Sequence, residues 1–269
     1  MADILATIIA TKRLEVEAHK RAVPFPEIRA AAESAPPPRN FGEALLAKKS
    51  GAGIALARII AECKRQSPSR GVMIDPYDPV RLASAYEEGG AAAISVLTDE
   101  PYFGGKLDHL EKVSGSVKIP VLRKDFIVDE YQVYEARAFG ADSFLLLAGV
   151  LDSVQLQYFT EIGRDLGMEP LVESHDMREL DLALRTDCVI LGINNRNLKS
   201  FDVSFDAAGD LARHAQSSST PRILIGESGI KSREDIDTMH AAGYGGFLIG
   251  ETLVRATDPA QTLRGLVGS

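Results

Sequence analysis

The sequence is poor in cysteine and contains no long hydrophobic run. Cys63 and Cys188 are its only cysteines, and neither has a second thiol or a histidine at the spacing of metal ligands. We therefore expect two buried, reduced thiols and no metal. Apolar stretches reach about ten residues, too few to cross a bilayer, and Asp3 without a basic flank argues against a signal peptide. We expect a cytoplasmic protein.

Positive charge is also scarce. The 269 residues include 30 Lys and Arg against 38 Asp and Glu, a formal net charge of -8. Nucleic acids and anionic membranes both select a basic face, so neither is an expected partner. Hydrophobic residues make up 45% and charged residues 25%, which is ordinary for a globular protein of one large or two small domains. The well-charged surface favours a monomer.

Short apolar runs alternate with amphipathic helical patterns along the chain. The apolar runs are Ala57–Cys63, Ala91–Leu97, Ile119–Arg123, Ser143–Ala148, Pro170–Val172, Cys188–Ile193, Ile223–Ile225 and Gly246–Ile249. The helical patterns are Pro79–Glu88, Leu107–Ser114, Glu130–Phe139, Asp152–Leu166, Met177–Leu184, Phe205–Ala215, Ser232–Ala242 and Pro259–Val267. Strands that are apolar on both faces are typical of parallel βαβ units. No Gly-x-Gly-x-x-Gly follows the first strand, so we predict the α/β class and a closed (β/α)8 TIM barrel over residues 51–269.

Residues 1–50 have a different pattern. An apolar stripe between Ile4 and Ile9 has helical spacing. A proline-rich break at 35–39 separates it from a further short helix at Phe41–Lys48. We predict a helical N-terminal extension that packs on the barrel as part of a single domain.

Two charged residues end the first strand. Glu62 and Lys64 are two positions apart, so on a strand they project to the same side as an ion pair. Taken alone, the pair could be a structural salt bridge, because buried ion pairs often add little stability. Whether the pair is structural or functional therefore depends on the residues at the other strand ends.

Polar side chains also end later strands. In a (β/α)8 barrel, chemistry takes place at the C-terminal ends of the strands. The polar residues there are Lys124 after the third strand, Glu173 after the fifth, Asn194 after the sixth, and Glu227 and Ser228 after the seventh. Because such a convergence of charges is costly unless it serves a function, we predict an active site at this rim.

Glycine-containing turns follow the last two strands, at Gly226–Ile230 and Leu248–Thr252. Backbone N–H groups in such turns can face an anion, and barrels often bind phosphate after strands seven and eight. We therefore predict a phosphorylated small molecule as the substrate.

These blocks resemble, in order and spacing, those of the indole-3-glycerol phosphate synthase family. The most specific block is IAECKRQSPS at 60–69, and the later ones are LRKDF at 122–126, LVE at 171–173, GINNRNL at 192–198, GESGI at 226–230 and FLIG at 247–250. The similarity covers nearly the whole chain. It implies a carboxy-lyase of tryptophan biosynthesis that converts 1-(2-carboxyphenylamino)-1-deoxyribulose 5-phosphate into indole-3-glycerol phosphate, carbon dioxide and water, with no cofactor.

The resemblance also implies roles for the charged residues. Lys124 would be the general acid that activates the substrate carbonyl, which suits a protonated amine. Lys64, Glu62 and Glu173 would serve the later dehydration, and the sequence leaves open which of them is acid and which is base. We favour Glu173 as base or cation stabiliser, Lys64 as acid and substrate-carboxylate contact, and Glu62 as the partner that keeps Lys64 charged.

Further residues are implied as substrate contacts. The phosphate contacts are Ser67, Gly229, Gly250 and the backbone of Glu251, and the contacts of the aromatic ring are Phe103, Phe126 and Leu145 or Leu146. Asn194 and Ser228 would contact the reacting hydroxyl or carboxylate, and Arg196 the carboxylate end. Leu198 and Glu227 would contact the substrate elsewhere in the site. Core packing is the alternative for the ring residues, and a salt bridge to Asp202 is the alternative for Arg196. Of the five histidines only His175 lies near the rim, and we expect structural or solvated roles for all five.

Three other functions remain open. Phosphoribosylanthranilate isomerase would share the phosphate turns but relies on a Cys and Asp pair, so it would not need Lys64, Lys124 and Glu173 together. A Schiff-base aldolase would hold its lysine in an apolar pocket rather than beside Glu62. A barrel that only binds a metabolite or partner would not need the acid and base residues.

Overall fold

Eight parallel strands close into a barrel in the computed structural model, which describes residues 4–46, 48–49, 55–195, 205–218 and 220–268. The strands are β1 (Ile59–Cys63), β2 (Ala93–Leu97), β3 (Val121–Lys124), β4 (Ser143–Leu147), β5 (Leu171–Ser174), β6 (Ile190–Asn194), β7 (Ile223–Glu227) and β8 (Gly246–Ile249). Neighbours in sequence are neighbours in the barrel, and β8 closes it by pairing Leu248 with Ile60 of β1. The predicted (β/α)8 barrel is confirmed.

Helices surround the barrel and precede it. The N-terminal helices are α1 (Ile4–Ala22), α2 (Phe25–Ser34) and α3 (Phe41–Ala44). Those that follow are α4 (Pro79–Glu88), α5 (Glu100–Phe103), α6 (Leu107–Ser116), α7 (Tyr131–Ala138), α8 (Ser153–Asp165), α9 (Met177–Leu184), α10 (Phe205–Gln216), α11 (Arg233–Ala241), α12 (Glu251–Val254) and α13 (Pro259–Val267). Several begin at an N-cap side chain that accepts a backbone N–H, as Asp176 does for α9 and Ser232 for α11.

Alternation along each strand separates two apolar cores. In β1, Ile59 and Cys63 belong to the core between strands and helices, whereas Ile60 belongs to the core inside the barrel. The same period of two places Glu62, two residues after Ile60, on the inner face. The inner face is therefore apolar at the start of the strand and charged at its end.

Helix α3 closes the barrel where the strands begin. Phe41 and Leu45 are 2% and 1% exposed and pack against the first inward-facing residues of the strands, such as Ile60 and Ile190. Arg58, which precedes β1, donates from Nε to the carbonyl oxygen of Ala44 at 2.9 Å. The N-terminal end of the barrel is thus filled by apolar side chains.

The short helix ends at Ala44, not at Lys48 as predicted from the sequence. Lys48–Lys49 instead pair with Ala55–Leu56 in an antiparallel ribbon. Propensity favoured a longer helix, but pairing with a segment later in the chain prevails.

Helix α1 reaches the opposite end of the barrel. Its Lys12, 3% exposed, lies 3.0 Å from Asp99 after β2 and 3.0 Å from Asp125 after β3. On the next helix Ile28 packs with Val16 against Tyr131 of α7. Residues of α1 and α2 therefore contact elements of the barrel.

Both cysteines are buried and unpaired, as predicted. Across the described ranges, no helix combines the length and the apolarity that a membrane span requires. Nor do the residues that the structure describes include a group of three or more His, Cys, Asp or Glu side chains arranged to hold a metal ion.

Candidate active site

Lys124 lies at the centre of a charged cluster at the C-terminal mouth of the barrel. Its Nζ donates to Glu227 Oε2 at 2.7 Å and to Glu173 Oε2 at 3.1 Å. The lysine side chain is 14% exposed, and the two glutamates are 6% exposed or less. The ammonium group of β3 is therefore held between carboxyl groups of β5 and β7.

Both glutamates lie within their strands, not after them as predicted. The sequence placed the strand ends at Val172 and Ile225, whereas the parallel ladder pairs Glu173 with Gly192 and Glu227 with Asn194. The apolar pattern stops where the inner face becomes polar, but the backbone ladder continues past that point. This places the carboxyl groups on rigid backbone.

Two glycines make space for the carboxylates. A Cβ on Gly192 of β6 would overlap Oε1 of Glu227, and a Cβ on Gly250 would overlap Oε1 of Glu62. Gly250 was expected as a phosphate contact, but Gly192 was not singled out from the sequence. Its signal would have been a glycine at an inward-facing strand position, which indicates close approach by another group.

Glu62 and Lys64 form the ion pair that the sequence predicts. Glu62 is buried at the end of β1 and Lys64 follows the strand, 18% exposed. Burial by itself would raise the pKa of Glu62, but the positive charges of Lys64 and Lys124 outweigh it and hold the pKa below its ordinary value. Glu62 is therefore a carboxylate at neutral pH.

The two carboxyl groups that share Lys124 differ in protonation. Burial opposes charge on both, but Lys124 and His175 hold the pKa of Glu173 well below its ordinary value. Burial and the negative charge of Glu173 raise the pKa of Glu227 to about 8. Burial would lower the pKa of Lys124, yet Glu173 and Glu227 outweigh it and raise that pKa. The site thus offers an ammonium, a carboxylate and a protonated carboxyl group within one cluster.

Asn194 and His175 hold Glu173 from its other side. Asn194 Nδ2 donates to Glu173 Oε1 at 2.9 Å, and His175 Nε2 lies 3.1 Å from the same oxygen. The sequence analysis expected a structural or solvated role for His175. The missed signal is the spacing of two residues between Glu173 and His175, the same spacing that identified Glu62 and Lys64.

The turns after β7 and β8 lie next to each other. Ser228 has φ of 66° and Gly229 has φ of 82°, and a left-handed serine is a strained conformation typical of functional sites. Thr252 Oγ1 donates to the carbonyl oxygen of Ile230 at 2.7 Å, which ties α12 to the turn after β7. Gly250 is the N-cap of α12. The glycines expected to bind phosphate are thus brought to one place.

The loop after β1 contacts the turn after β8. Gln66–Ser67 pairs with Gly71–Val72 in a short hairpin, and Nε of Arg70 lies 3.2 Å from Glu251 Oε1. Ser67 therefore reaches the same region. The Glu251 carboxylate also lies 3.4 Å from Arg255, so basic side chains face its charge.

The residues expected to hold the aromatic ring divide into two groups. Phe103 and Phe126 are partly exposed, with ring centroids 6.0 Å apart and planes at 41°. Leu145 is 4% exposed and Leu146 is fully buried, and both pack in the apolar cores; contact of either with the ring stays a prediction. Arg196 and Leu198 lie outside the described residues.

Fold and site together define a (β/α)8 barrel enzyme with its acid and base groups at the C-terminal mouth. The solved structures that the fold resembles include the tryptophan synthase A-subunit from Pyrococcus furiosus, with a TM-score of 0.58, 16% identity, and coverage of 79% of this chain and 98% of that one. Another is 3-hexulose-6-phosphate synthase from Salmonella typhimurium, with a TM-score of 0.60, 15% identity, and coverage of 78% and 97%. At these identities the likeness shows the fold alone.

Sequence comparison identifies the family. The family model of indole-3-glycerol phosphate synthase matches residues 5–266. The indole-3-glycerol phosphate synthase of Variovorax paradoxus (strain S110) is 45% identical over 270 residues, covering 99% of both chains, and that of Aromatoleum aromaticum is 44% identical over 268 residues, covering all of both. The chain belongs to the indole-3-glycerol phosphate synthase family. Its activity is that of the family, a carboxy-lyase reaction of tryptophan biosynthesis on a small phosphorylated substrate.

Proposed function

We propose that Lys124 is the general acid by which the chain closes the ring of 1-(2-carboxyphenylamino)-1-deoxyribulose 5-phosphate. The observation that carries the proposal is the clamp of its ammonium group between Glu173 and Glu227. An aromatic carbon attacks the substrate carbonyl only when the developing alkoxide receives a proton. Lys124 is held in its protonated form at a fixed place in the mouth, which suits that transfer.

Loss of carbon dioxide follows ring closure, because it restores the aromatic ring. The carboxyl group on the aromatic carbon that made the attack leaves as carbon dioxide, and its bonding electrons return to the ring. The rings of Phe103 and Phe126 are partly exposed and lie 6.0 Å apart, and we assign the aromatic ring of the substrate to their side.

Dehydration completes the indole. The new hydroxyl group leaves as water when it receives a proton, and Lys64 is the donor in this proposal, with Glu62 as its ion-pair partner. Glu173 is a carboxylate, so it takes up the proton released on the other side or stabilises the intervening cation. Asn194 orients Glu173 through its hydrogen bond of 2.9 Å, and Ser228 contacts the reacting hydroxyl or carboxylate.

Glu227, which the sequence suggested as a substrate contact, is assigned a further role here. Its carboxyl group is 1% exposed and lies against Lys124 at 2.7 Å. A group whose pKa is raised to about 8 carries a proton at neutral pH. We assign it the return of a proton to Lys124 after ring closure.

The phosphate is assigned to the opposite side of the mouth. Ser67 and the backbone N–H groups of Gly229, Gly250 and Glu251 are the proposed contacts. Arg70 reaches Glu251 from the loop after β1, so the acidic side chain does not face the phosphate alone.

Turnover is tested by the fluorescence of the indole product, and the absence of tryptophan from the chain keeps the protein background low. Purified protein given the carboxyphenylamino-deoxyribulose phosphate should release one carbon dioxide for each indole formed. Folded protein that forms neither would contradict the assignment. Borohydride with a ketose phosphate should trap no adduct, because Schiff-base chemistry needs a lysine of lowered pKa and that of Lys124 is raised.

We further propose that the chain acts in the cytoplasm as a monomer, with residues 1–50 as an extension of a single domain. The packing of Phe41 inside the barrel supports the single domain. Light scattering should give a mass near 29.0 kDa, and a mass of twice that value would contradict the monomer.

A further inference from the structure

His175 lies between two carboxylates. Its Nε2 is 3.1 Å from Glu173 Oε1 and its Nδ1 is 3.1 Å from Glu179 Oε2. Both ring nitrogens thus face oxygens that only accept hydrogen bonds when ionised. A neutral imidazole has one N–H and would turn a lone pair towards one of them. A carboxylate 3.1 Å from each ring nitrogen therefore favours the imidazolium form.

Glu179 is fixed in position by its own surroundings. It lies in the first turn of α9, where its backbone N–H donates to Asp176 at 2.9 Å. Its Oε2 also accepts the backbone N–H of His175 at 2.8 Å. Gly149, after β4, leaves the space that the Glu179 side chain occupies, since a Cβ there would overlap it. A carboxylate held this firmly orients the imidazole ring.

We propose that His175, oriented by Glu179, is a positioning residue that keeps Glu173 ionised and correctly placed while Lys124 transfers its proton. The inference rests on the proposed role of Glu173. It extends that role to an assembly of three side chains, two of which come from the segment after β5.

Glu173 and His175 each face charged groups from more than one element of the barrel. His175 faces Glu173 on β5 and Glu179 on α9, while Glu173 also faces Lys124 on β3 and Glu227 on β7. When Lys124 gives its proton to the substrate, Glu173 loses the positive charge of Lys124. Glu227, a second acidic residue, remains beside it. His175 remains as the second cation. Burial opposes its charge, but Glu173 and Glu179 raise the pKa of His175 to about 10, so it stays charged throughout the working range.

The first test reads the ring directly. In wild-type protein with isotope-labelled histidine, the NMR shifts of the His175 ring should be those of an imidazolium at neutral pH. In Glu179→Gln the ring should lose its proton at a lower pH than in wild type, because one of its two carboxylates is gone. A neutral ring in the wild-type protein would overturn the proposal. This reading needs no turnover, so it stands apart from failure of the proposed function, which would appear as wild-type protein that forms no indole.

The second test measures the steady-state kinetics of His175→Gln, a substitution that keeps a polar side chain and removes the charge. We expect kcat to fall about tenfold with KM changed less than about twofold, because the contact matters only once the reaction begins. The acid limb of the kcat profile should move up by about one pH unit, because Glu173 loses a cation. A variant as stable as wild type whose profile superimposes on that of wild type would overturn the proposal.

His214→Gln is the matched control. His214 also pairs with a carboxylate, Asp181 Oδ1 at 2.8 Å, but on the exposed surface between α9 and α10. Its kcat, KM and pH profile should equal those of wild type. If His175→Gln does not fold, Glu179→Gln carries the kinetic test, with a smaller fall in kcat and the same direction of the acid limb.

Discussion

The two ends of the barrel use the same strands for opposite purposes. At the N-terminal end, the inward-facing residues are apolar and α3 covers them; at the C-terminal end, those of six strands are charged or glycine and form the mouth. The apolar layer contains Ile60, Leu122, Leu171, Ile190, Ile225 and Leu248, and the residues two positions later are Glu62, Lys124, Glu173, Gly192, Glu227 and Gly250. In these six strands, two residues, or about 6.6 Å, therefore separate the apolar layer from the polar mouth.

The comparison explains why so many charges can be buried together. Each charged side chain is placed by a strand whose preceding inward-facing residue is fixed in an apolar core. The charges then satisfy one another, as Glu173, Lys124 and Glu227 do. Substitutions at the two ends should therefore separate loss of activity from loss of stability.

The largest effect is expected from Lys124→Ala. Without the acid, kcat/KM should fall on the order of 1000-fold in the indole fluorescence assay. Removal of one partner also leaves buried carboxyl groups without their cation, so rates are compared at a temperature where circular dichroism shows the variant folded. Lys112→Ala, which removes an exposed lysine paired with Asp108, should keep wild-type kinetics. A folded Lys124→Ala with more than about a tenth of wild-type activity would refute the assignment.

At the other end, Phe41→Ala should cost stability and spare activity. Removing a phenyl ring that is 2% exposed should lower the free energy of unfolding by about 3–4 kcal/mol, measured by urea denaturation. The rate per folded molecule should stay at the wild-type value. Leu14→Ala, at a side chain that is 73% exposed, should change stability by less than about 0.5 kcal/mol. Equal losses of kcat in Phe41→Ala and Lys124→Ala would remove the distinction between the two ends.

Gly192→Ala tests whether the mouth depends on space as well as charge. The new methyl group would displace Glu227, and a displacement of about 1 Å within such a site can cost about 100-fold in rate. The readout is kcat/KM beside Gly115→Ala, where a Cβ meets no atom within 4 Å. Wild-type kinetics in Gly192→Ala would show that the position of Glu227 does not matter.

A fourth effect is a dependence of stability on pH that Glu227 causes. Its pKa is 4.5 as a reference and about 8 in the fold, so the folded state binds the proton more tightly than the unfolded chain. Wild-type protein should therefore lose stability as pH rises from about 4.5 to about 8. Glu227→Gln lacks this loss, so its unfolding free energy relative to wild type should rise between about pH 5 and pH 8.5. A constant difference across that range would contradict the raised pKa.

Local patterns explain how much of this could be predicted. The apolar runs and the spacing of Glu62 and Lys64 follow from a period of two, so both the barrel and the inner face of β1 were accessible to sequence reasoning. The roles assigned to Lys124 and Glu173 came from resemblance to the family, and their geometry agrees with that use without testing it.

Contacts between distant elements could not be read in the same way. His175 meets Glu173 and Glu179 only because β5 ends beside the first turn of α9. Lys12 is buried because α1 reaches Asp125, more than a hundred residues later. The spacing of two residues could have linked His175 to Glu173, but nothing in the sequence links Lys12 to Asp125, so that contact needs the fold.

The most direct test of the account is the structure of the chain bound to an unreactive substrate analogue, in which the ketone is reduced to an alcohol. We predict that the alcohol oxygen lies within about 3.2 Å of Lys124 Nζ, with Lys64 beside the substrate carboxylate. An alcohol oxygen held by Lys64, with Lys124 still closed between Glu173 and Glu227, would contradict Lys124 as the acid of ring closure.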